Sequence, residues 1–332
     1  MEKVSLKVIA NQVGVSIATV SLVLNGKNKN GRVSAETSKK ILDKAAELNY
    51  MPNSLAKGLR MGRSKSIGLI VADISNSFFG TLALHIQKYA EIEGYIVIIG
   101  NTNEELGEME KMIRFLNAYQ IDGLILVPTE NSEPLIHKLI KAEIPLVLID
   151  RTYPEISVNS IIINNFEISN IAVKQLLKKG CKNIAFITYK EEHHHINDRQ
   201  RGYEEALKEE GIFNPDNILE VRYEFLKDDI KKAISTLIKR KPAIDGYFFA
   251  TNSISIISVK QLLKNNIDIY NDVQIMCFDE NEAYHLLPHT LPYIKQPIEE
   301  MAKKSIEIIV DKIEKRKKHS KNNILQATLI TE

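Results

Sequence analysis

Along this chain, apolar runs that read as strands end in polar and aromatic residues. SIGLIVA is followed by Asp73, Asn76, Phe78 and Phe79; LVLI runs into Asp150, FFAT into Asn252 and MCF into Asp279. INDRQRGYEEAL puts Arg199 at a helix start. These residue types share a chemistry. Carboxylates accept hydrogen bonds from hydroxyls, Arg and Asn donate to ring oxygens, and aromatic faces cover C–H surface. Plainer readings stand beside it: Asp150, Asn252 and Asp279 can cap turns, and Phe78 or Phe79 can be core. Spacing that marks catalysis is lacking. There is no G-x-S-x-G, no P-loop and no G-x-G-x-x-G after a strand, so neither an enzyme nor a bound cofactor is expected. His193, His194 and His195 adjoin one another, but neighbouring loop residues rarely converge on one ion and no acid or cysteine is spaced with them. No metal is expected.

Ten runs read as strands: SIGLIVA, YIVIIG, DGLILV, IPLVLI, SIIIN, NIAFIT, NILEVR, DGYFFA, VQIMCF and PYIK. Amphipathic stretches at 79–93, 104–119, 132–141, 166–179, 200–210, 228–240 and 254–265 lie between them. Strand–helix alternation means parallel sheets covered on both faces. So many strands exceed what one small sheet needs, so the spacing predicts two α/β lobes. Ligands in such sheets bind beyond the carboxyl ends of strands, here the cleft between lobes.

The 332 residues suffice for two or three domains. A hydrophobic share of 44% and a charged share of 26% are ordinary for a globular protein. No apolar stretch is long enough to span a membrane, and the N-terminus lacks a signal peptide's apolar run and cleavage site. A cytoplasmic location is expected. Cys181 and Cys277 sit in apolar surroundings without ligand spacing and read as reduced structural thiols. The net charge of +2 hides a separation: residues 1–65 hold twelve Lys and Arg against four acids, and the remainder 32 against 38. A small basic head on an acidic body is the footprint of a polyanion partner.

That head carries a motif. Ser5 can cap a helix with the stripe Leu6, Ile9, Ala10 and Val13, and Gly14 permits a tight turn. Ser16 then caps a second helix to about Leu24, with Val20, Val23 and Leu24 inward, ended by Asn25-Gly26. Ser34 caps a third, with Ile41, Leu42, Ala45 and Leu48 as its buried stripe. Two short helices joined by a Gly-containing turn and braced by a third form an all-α helix-turn-helix unit, whose second helix enters the major groove.

The segments LKVIANQVGVSIATVSLVLNG, VSAETSKKIL and LNYMPNSLAKGLRMGRSKSIGLIVADISNSFF, in that order, closely resemble the lactose repressor family. The resemblance implies a headpiece over 1–50, a hinge over 51–65 and a periplasmic-binding-protein-like core of two lobes. The N-terminal lobe would hold 66–164 and 296–322, and the C-terminal lobe 165–295 and 323–332. It implies that Ser16, Thr19, Ser21 and Asn25 contact phosphates or cap, while Ile17, Ala18 and Leu22 face base edges. Where the family commonly has a basic side chain this chain has Leu22, which leaves a reading face suited to thymine methyls and shape. The alternative is that Leu22 packs inward. Lys27, Lys29 and Arg32 of the GKNKNGR loop either reach phosphates or are merely solvated.

In the hinge, Pro52 forces a break and Asn53 can cap the short segment SLAKGLR, which holds Lys57 and is too short to be a stable helix alone. The resemblance implies that it folds on DNA beside its copy and drives Leu59, with Ala56 beside it, into the minor groove. In the core it implies an effector pocket lined by Phe78, Asp150, Arg199, Asn252, Asp279 and an aromatic near Phe225, with Tyr223 as the alternative match. His195 belongs to a run that reads as a loop at the pocket's mouth or a direct ligand contact. Ser253 and Glu280 stand where the family often has Asp. The expected function is a DNA-binding transcription regulator, a repressor, controlled by a small molecule such as a sugar. The expected partners are operator DNA, the effector and a second copy; the absence of a heptad tail points to a dimer. A transport component on a similar body is the alternative, which the basic head disfavours.

Overall fold

The computed structural model describes residues 5–26, 28, 31–50, 63–190, 193–316 and 322–331. The chain separates into two compact units, Met1–Ser64 and Lys65–Glu332.

The first unit holds three helices: α1 (Leu6–Val13), α2 (Ile17–Leu24) and α3 (Ala35–Glu47). Helices of eight residues are marginal alone, and these share one small core around Ile9, Ala10, Val20, Val23, Val33, Ile41 and Ala45. Gly14, at φ 75°, makes the turn between α1 and α2. Ser16 and Ser34 cap α2 and α3 by accepting from the N–H groups of Thr19 and Thr37, each at 3.1 Å. Ser5 precedes α1 but its side chain makes no such bond. Leu42 departs from the expected stripe and is half exposed, because Ile41 and Ala45 define the inner face and Leu42 lies about 100° round the helix from Ile41.

In the second unit, lobe one is a six-stranded sheet of β1 (Ser66–Val71), β2 (Ile96–Asn101), β3 (Gly123–Leu126), β4 (Leu146–Ile149), β5 (Asn159–Ile163) and β11 (Asn322–Leu325). Its spatial order is β11-β5-β4-β3-β1-β2. Lobe two holds β6 (Ile184–Tyr189), β7 (Ile218–Val221), β8 (Gly246–Phe249), β9 (Gln274–Phe278), β10 (Tyr293–Lys295) and β12 (Thr328–Ile330), in the order β12-β10-β9-β8-β6-β7. Every described pairing is parallel except β10 with β12. Strands β1, β3, β4 and β8 are buried at every residue, as sheets covered on both faces require.

The helices are α4 (Ser77–Ile92), α5 (Leu106–Ala118), α6 (Glu133–Lys141), α7 (Asn165–Lys178), α8 (His194–Glu209), α9 (Leu226–Leu237), α10 (Asn252–Lys264) and α11 (Ile298–Glu314). No single described helix is long and apolar enough to cross a membrane. The chain passes between lobes after β5, after β10 and after β11. The last passage corrects the expected boundary at 322: β11 pairs with β5 as far as Leu325, so only the final short strand joins lobe two. These two C-terminal strands are too short and too polar to stand out in sequence. Helix α8 also begins six residues earlier than its pattern, with His193 as its N-cap. His194, His195 and Arg199 are therefore helical, and the histidine run is not a free loop.

Candidate ligand cleft and nucleic-acid interface

The outer face of α2 is largely apolar. Ile17 is 47% exposed, Ala18 is exposed, and Leu22 is half-buried with its inner part against the headpiece core. Leu22 thus lies between the two expected placements. The polar residues of α2 are partly spent on local bonds. Ser16 Oγ lies 2.8 Å from Thr19 Oγ1, and Asn25 Nδ2 donates to Ser21 O at 2.7 Å and to Ser21 Oγ at 3.2 Å. Arg32 is exposed in the approach to α3. Beside it, Asn28 makes a clasp that sequence reading missed: Nδ2 donates to Val33 O at 2.8 Å and Oδ1 accepts from Val33 N–H at 3.0 Å. Asn53, Ala56, Lys57 and Leu59 lie outside the described residues.

A narrow cleft opens between the two lobes of the core. Phe78, Asp150, His195, Arg199 and Asp279 of the expected set line it. Asp150 and Asp279 occupy equivalent places, each directly after a central strand and each with positive φ, at 68° and 69°. That left-handed turn is costly for a non-glycine residue. Burial pushes the Asp150 carboxyl up to about 6, against the pull of Arg151 and Arg199. Burial raises Asp279 as well, opposed by Arg199 and by Gln296, whose Nε2 donates to Oδ1 at 2.6 Å.

Arg199 is 2% exposed and oriented from three sides. Its Nε donates to Asn165 Oδ1 and its Nη1 to Ala250 O, each at 2.8 Å, and its guanidinium carbon lies 3.5 Å from the centre of the Phe278 ring. Neither Asp150 nor Asp279 forms an ion pair with it within 4.0 Å among the described residues. Asp150 instead pairs with Arg151, whose Nε lies 3.6 Å from its Oδ2, Asp279 accepts from Gln296, and all of these residues line the cleft.

Arg151, next to Asp150, is a cleft residue the sequence reading passed over. Its Nη1 and Nη2 each meet a Glu104 carboxylate oxygen at 2.6 Å, a two-pronged pair. Nη1 also lies 3.0 Å from His193 Nε2 in lobe two. Burial, with Arg151 beside it, drives His193 down to about 2, so the ring is neutral. His195 is likewise held well below its ordinary value by burial. His195 Nδ1 and Gln296 Oε1 are buried without a hydrogen-bond partner among the described residues, and both residues line the cleft.

Two expected residues fall elsewhere. Phe225 is 52% exposed, with the Arg222 guanidinium over its ring at 4.4 Å, because it sits at the N-cap of α9 and not on the cleft wall. Tyr223 lines the cleft instead and donates to Asp73 Oδ2 across the lobes at 3.1 Å. Asn252 is buried beside the cleft but outside its lining: Nδ2 donates to Asn76 Oδ1 at 2.8 Å and to Ser77 Oγ at 3.1 Å. It bridges the lobes. Glu104, at φ 63° in the turn after β2, and Gln296, at the second lobe crossing, carry no local signal of their place. Arg151 could have been found from its place beside Asp150. Both cysteines are buried free thiols, raised by burial to about 11 for Cys181 and about 12 for Cys277. No cluster able to hold a metal ion occurs among the described residues.

Residues 5–53 match the family model of bacterial regulatory proteins, lacI family, and residues 64–332 match that of periplasmic binding proteins and the sugar binding domain of the LacI family. The ribose operon repressor of Halalkalibacterium halodurans is 32% identical over 316 residues, covering 94% of this chain and 91% of that protein. The HTH-type transcriptional regulator RegA of Clostridium saccharobutylicum is 28% identical, covering 98% of this chain and 97% of its own. Among solved structures, the lac repressor dimer bound to operator and the anti-inducer ONPF superimposes with a TM-score of 0.86 at 20% identity, covering 99% of this chain and 98% of that one. A helix-turn-helix headpiece and a two-lobed core with a ligand cleft thus come together in one chain, which belongs to the lacI family of bacterial regulatory proteins and is a DNA-binding transcription regulator governed by a small-molecule effector.

Proposed function

We propose that the chain is a cytoplasmic repressor whose operator affinity is set by an uncharged monosaccharide held between the lobes and released unchanged. The observation that carries this reading is the constellation of Arg199, Asp150 and Asp279 on one cleft, with Arg199 oriented by Asn165 and Ala250, Asp279 by Gln296, and Asp150 paired with Arg151. Carboxylates at both walls accept from hydroxyls, the guanidinium donates to a ring oxygen, and Phe78, Tyr189 and Tyr223 offer aromatic surface. An anionic ligand is disfavoured, since Arg151 is already matched by Glu104 and Arg199 faces two acids. The name of the Halalkalibacterium halodurans relative makes D-ribose the first sugar to try.

On the headpiece, Ile17, Ala18 and the outer part of Leu22 would meet thymine methyls, with Ser16, Thr19, Ser21, Asn25 and Arg32 toward phosphates and Asn53, Ala56, Lys57 and Leu59 acting from the hinge. Effector binding would alter the angle between lobes and so the separation of two hinges in a homodimer. Exposed Leu84, Ile92, Ile96 and Ile99 on lobe one, and an apolar groove on lobe two lined by Ile256, Val259, Tyr284 and Leu287, support a second copy as partner.

Calorimetric titration of the full chain with D-ribose, other neutral pentoses and hexoses, and their phosphates tests the ligand class. Micromolar binding of a neutral sugar, together with a change in operator affinity, is expected. Binding of phosphorylated sugars alone would overturn it.

A further inference from the structure

Lys65, the first residue of the core, is held through both its backbone and its side chain. Its N–H donates to Asp122 Oδ2 at 2.8 Å, and its carbonyl accepts from Ile96 N–H at 2.9 Å. Its ammonium lies 4.2 Å from the centre of the Tyr95 ring and 3.5 Å from Glu314 Oε1. Tyr95 Oη donates to that same Glu314 oxygen at 3.4 Å, and Arg316 pairs with the other one. The backbone stands at φ 52°, in the left-handed region that costs a lysine conformational energy.

A half-exposed Lys–Glu pair contributes little stability by itself. Both backbone groups, the φ angle and the side chain together fix the backbone at the first residue of the core. The carboxylate of the clamp is the last residue of α11. That helix begins two residues after Gln296, whose amide donates to Asp279 in the cleft. One helix therefore runs from the ligand's wall to the clamp.

We propose that Lys65 is a positioning residue for operator binding: the clamp of Tyr95, Asp122 and Glu314 holds the hinge's point of departure in the register that specific DNA requires. Headpieces released from that register still meet phosphates, because contact with the duplex backbone depends on charge and not on spacing. They no longer fit two half-sites at once.

The test uses the full chain, an operator selected by the wild type from random DNA, and an unrelated duplex of equal length. Lys65→Met and Glu314→Gln are each expected to weaken the selected operator about tenfold, within the usual span of intramolecular coupling. Affinity for the unrelated duplex and the thermal midpoint of the core should stay at wild-type values. Lys65→Arg, which keeps a cation over Tyr95, should retain operator affinity. Unchanged operator affinity in both disrupting variants, or an equal loss on both duplexes, would overturn the proposal. Failure of the wild type to select any sequence would instead remove sequence-specific binding, and the positioning role with it.

Discussion

Asp150 is where the chemistry of the cleft is most exposed to measurement. Its carboxyl titrates at about 6 in the folded chain because burial disfavours the charge more than Arg151 and Arg199 favour it. An acid whose folded value is raised costs stability above that value, where it is ionised and buried. The cost fades as pH falls through about 6, because the folded form then takes up a proton. Asp150→Asn should therefore stabilise the ligand-free protein near neutral pH, by on the order of 2–3 kcal/mol, and the gain should shrink as pH falls below about 6, roughly halve by about pH 5 and vanish only below about pH 4, the unfolded carboxyl's own range. Effector binding should show the opposite sense. Sugar hydroxyls bond best to the carboxylate, so wild-type affinity should climb as pH rises through about 6 and then level, while Asp150→Asn binds weakly at every pH. Thermal melts from about pH 3.5 to about pH 8 and titrations from about pH 5 to about pH 8 measure both. A stabilisation that persists undiminished at low pH would show that the carboxylate's burial is not its cause. Phe225 shows the limit of single-residue reading: its type fitted the pocket, but one turn of chain placed Tyr223 there instead.

At the scale of elements, the supports of the cleft are helices that start at strand ends. Helix α8 carries His195 and Arg199, and its place depends on how near it comes to α7. Gly202 sets that approach. A Cβ there would lie 2.4 Å from Phe166 O and 3.0 Å from Asn170 N, both backbone atoms that cannot turn aside. Gly202→Ala is expected to cost about 1–3 kcal/mol through forced separation of the two helices. It should also weaken effector binding by moving Arg199 away from Asn165, whose Oδ1 orients it. Denaturant melts read the first and titration the second; a variant with wild-type stability would show that the pair yields without strain. In the headpiece, the caps at Ser16 and Ser34 were legible because a serine ahead of an apolar pattern has one dominant local use. The early start of α8 was not, since His194-His195-Ile196-Asn197 has no cap residue before it and poor helix propensity, and packing against lobe two overrides both.

For the whole molecule, the two lobes repeat one scheme, a central strand ending in a left-handed aspartate, and the ligand would be shared between them. Polar contacts cross the cleft, among them Tyr223 with Asp73, Asn252 with Asn76, Asn281 with Ser77 and His193 with Arg151. They can reform when the lobes rotate. The apolar surface left over lies on the outside. Strand β2 is at the edge of its sheet, with Ile96 72% exposed and Ile92 of α4 71% exposed. An exposed apolar edge is a liability unless another chain covers it. Ile96→Asp would bury a charge in such an interface, and should raise the dimer dissociation constant by at least about tenfold while the monomer stays folded. Sedimentation velocity measures the shift; an unchanged dimer would place the interface on another face.

The sequence by itself determined the class of the protein. Helix-turn-helix spacing, the basic head, the strand–helix alternation, the strand-end Asp150 and Asp279 and the helix-borne Arg199 all follow from local pattern, because capping, periodicity and net charge are properties of neighbouring residues. Only the tertiary structure decided which side chains meet. Glu104 reaches Arg151 across 47 residues of chain, Gln296 reaches Asp279 across a lobe crossing, and Asn252 leaves the ligand's wall to bridge the lobes. Those pairings depend on where three separate crossings return the chain, and no stretch of sequence encodes that geometry alone.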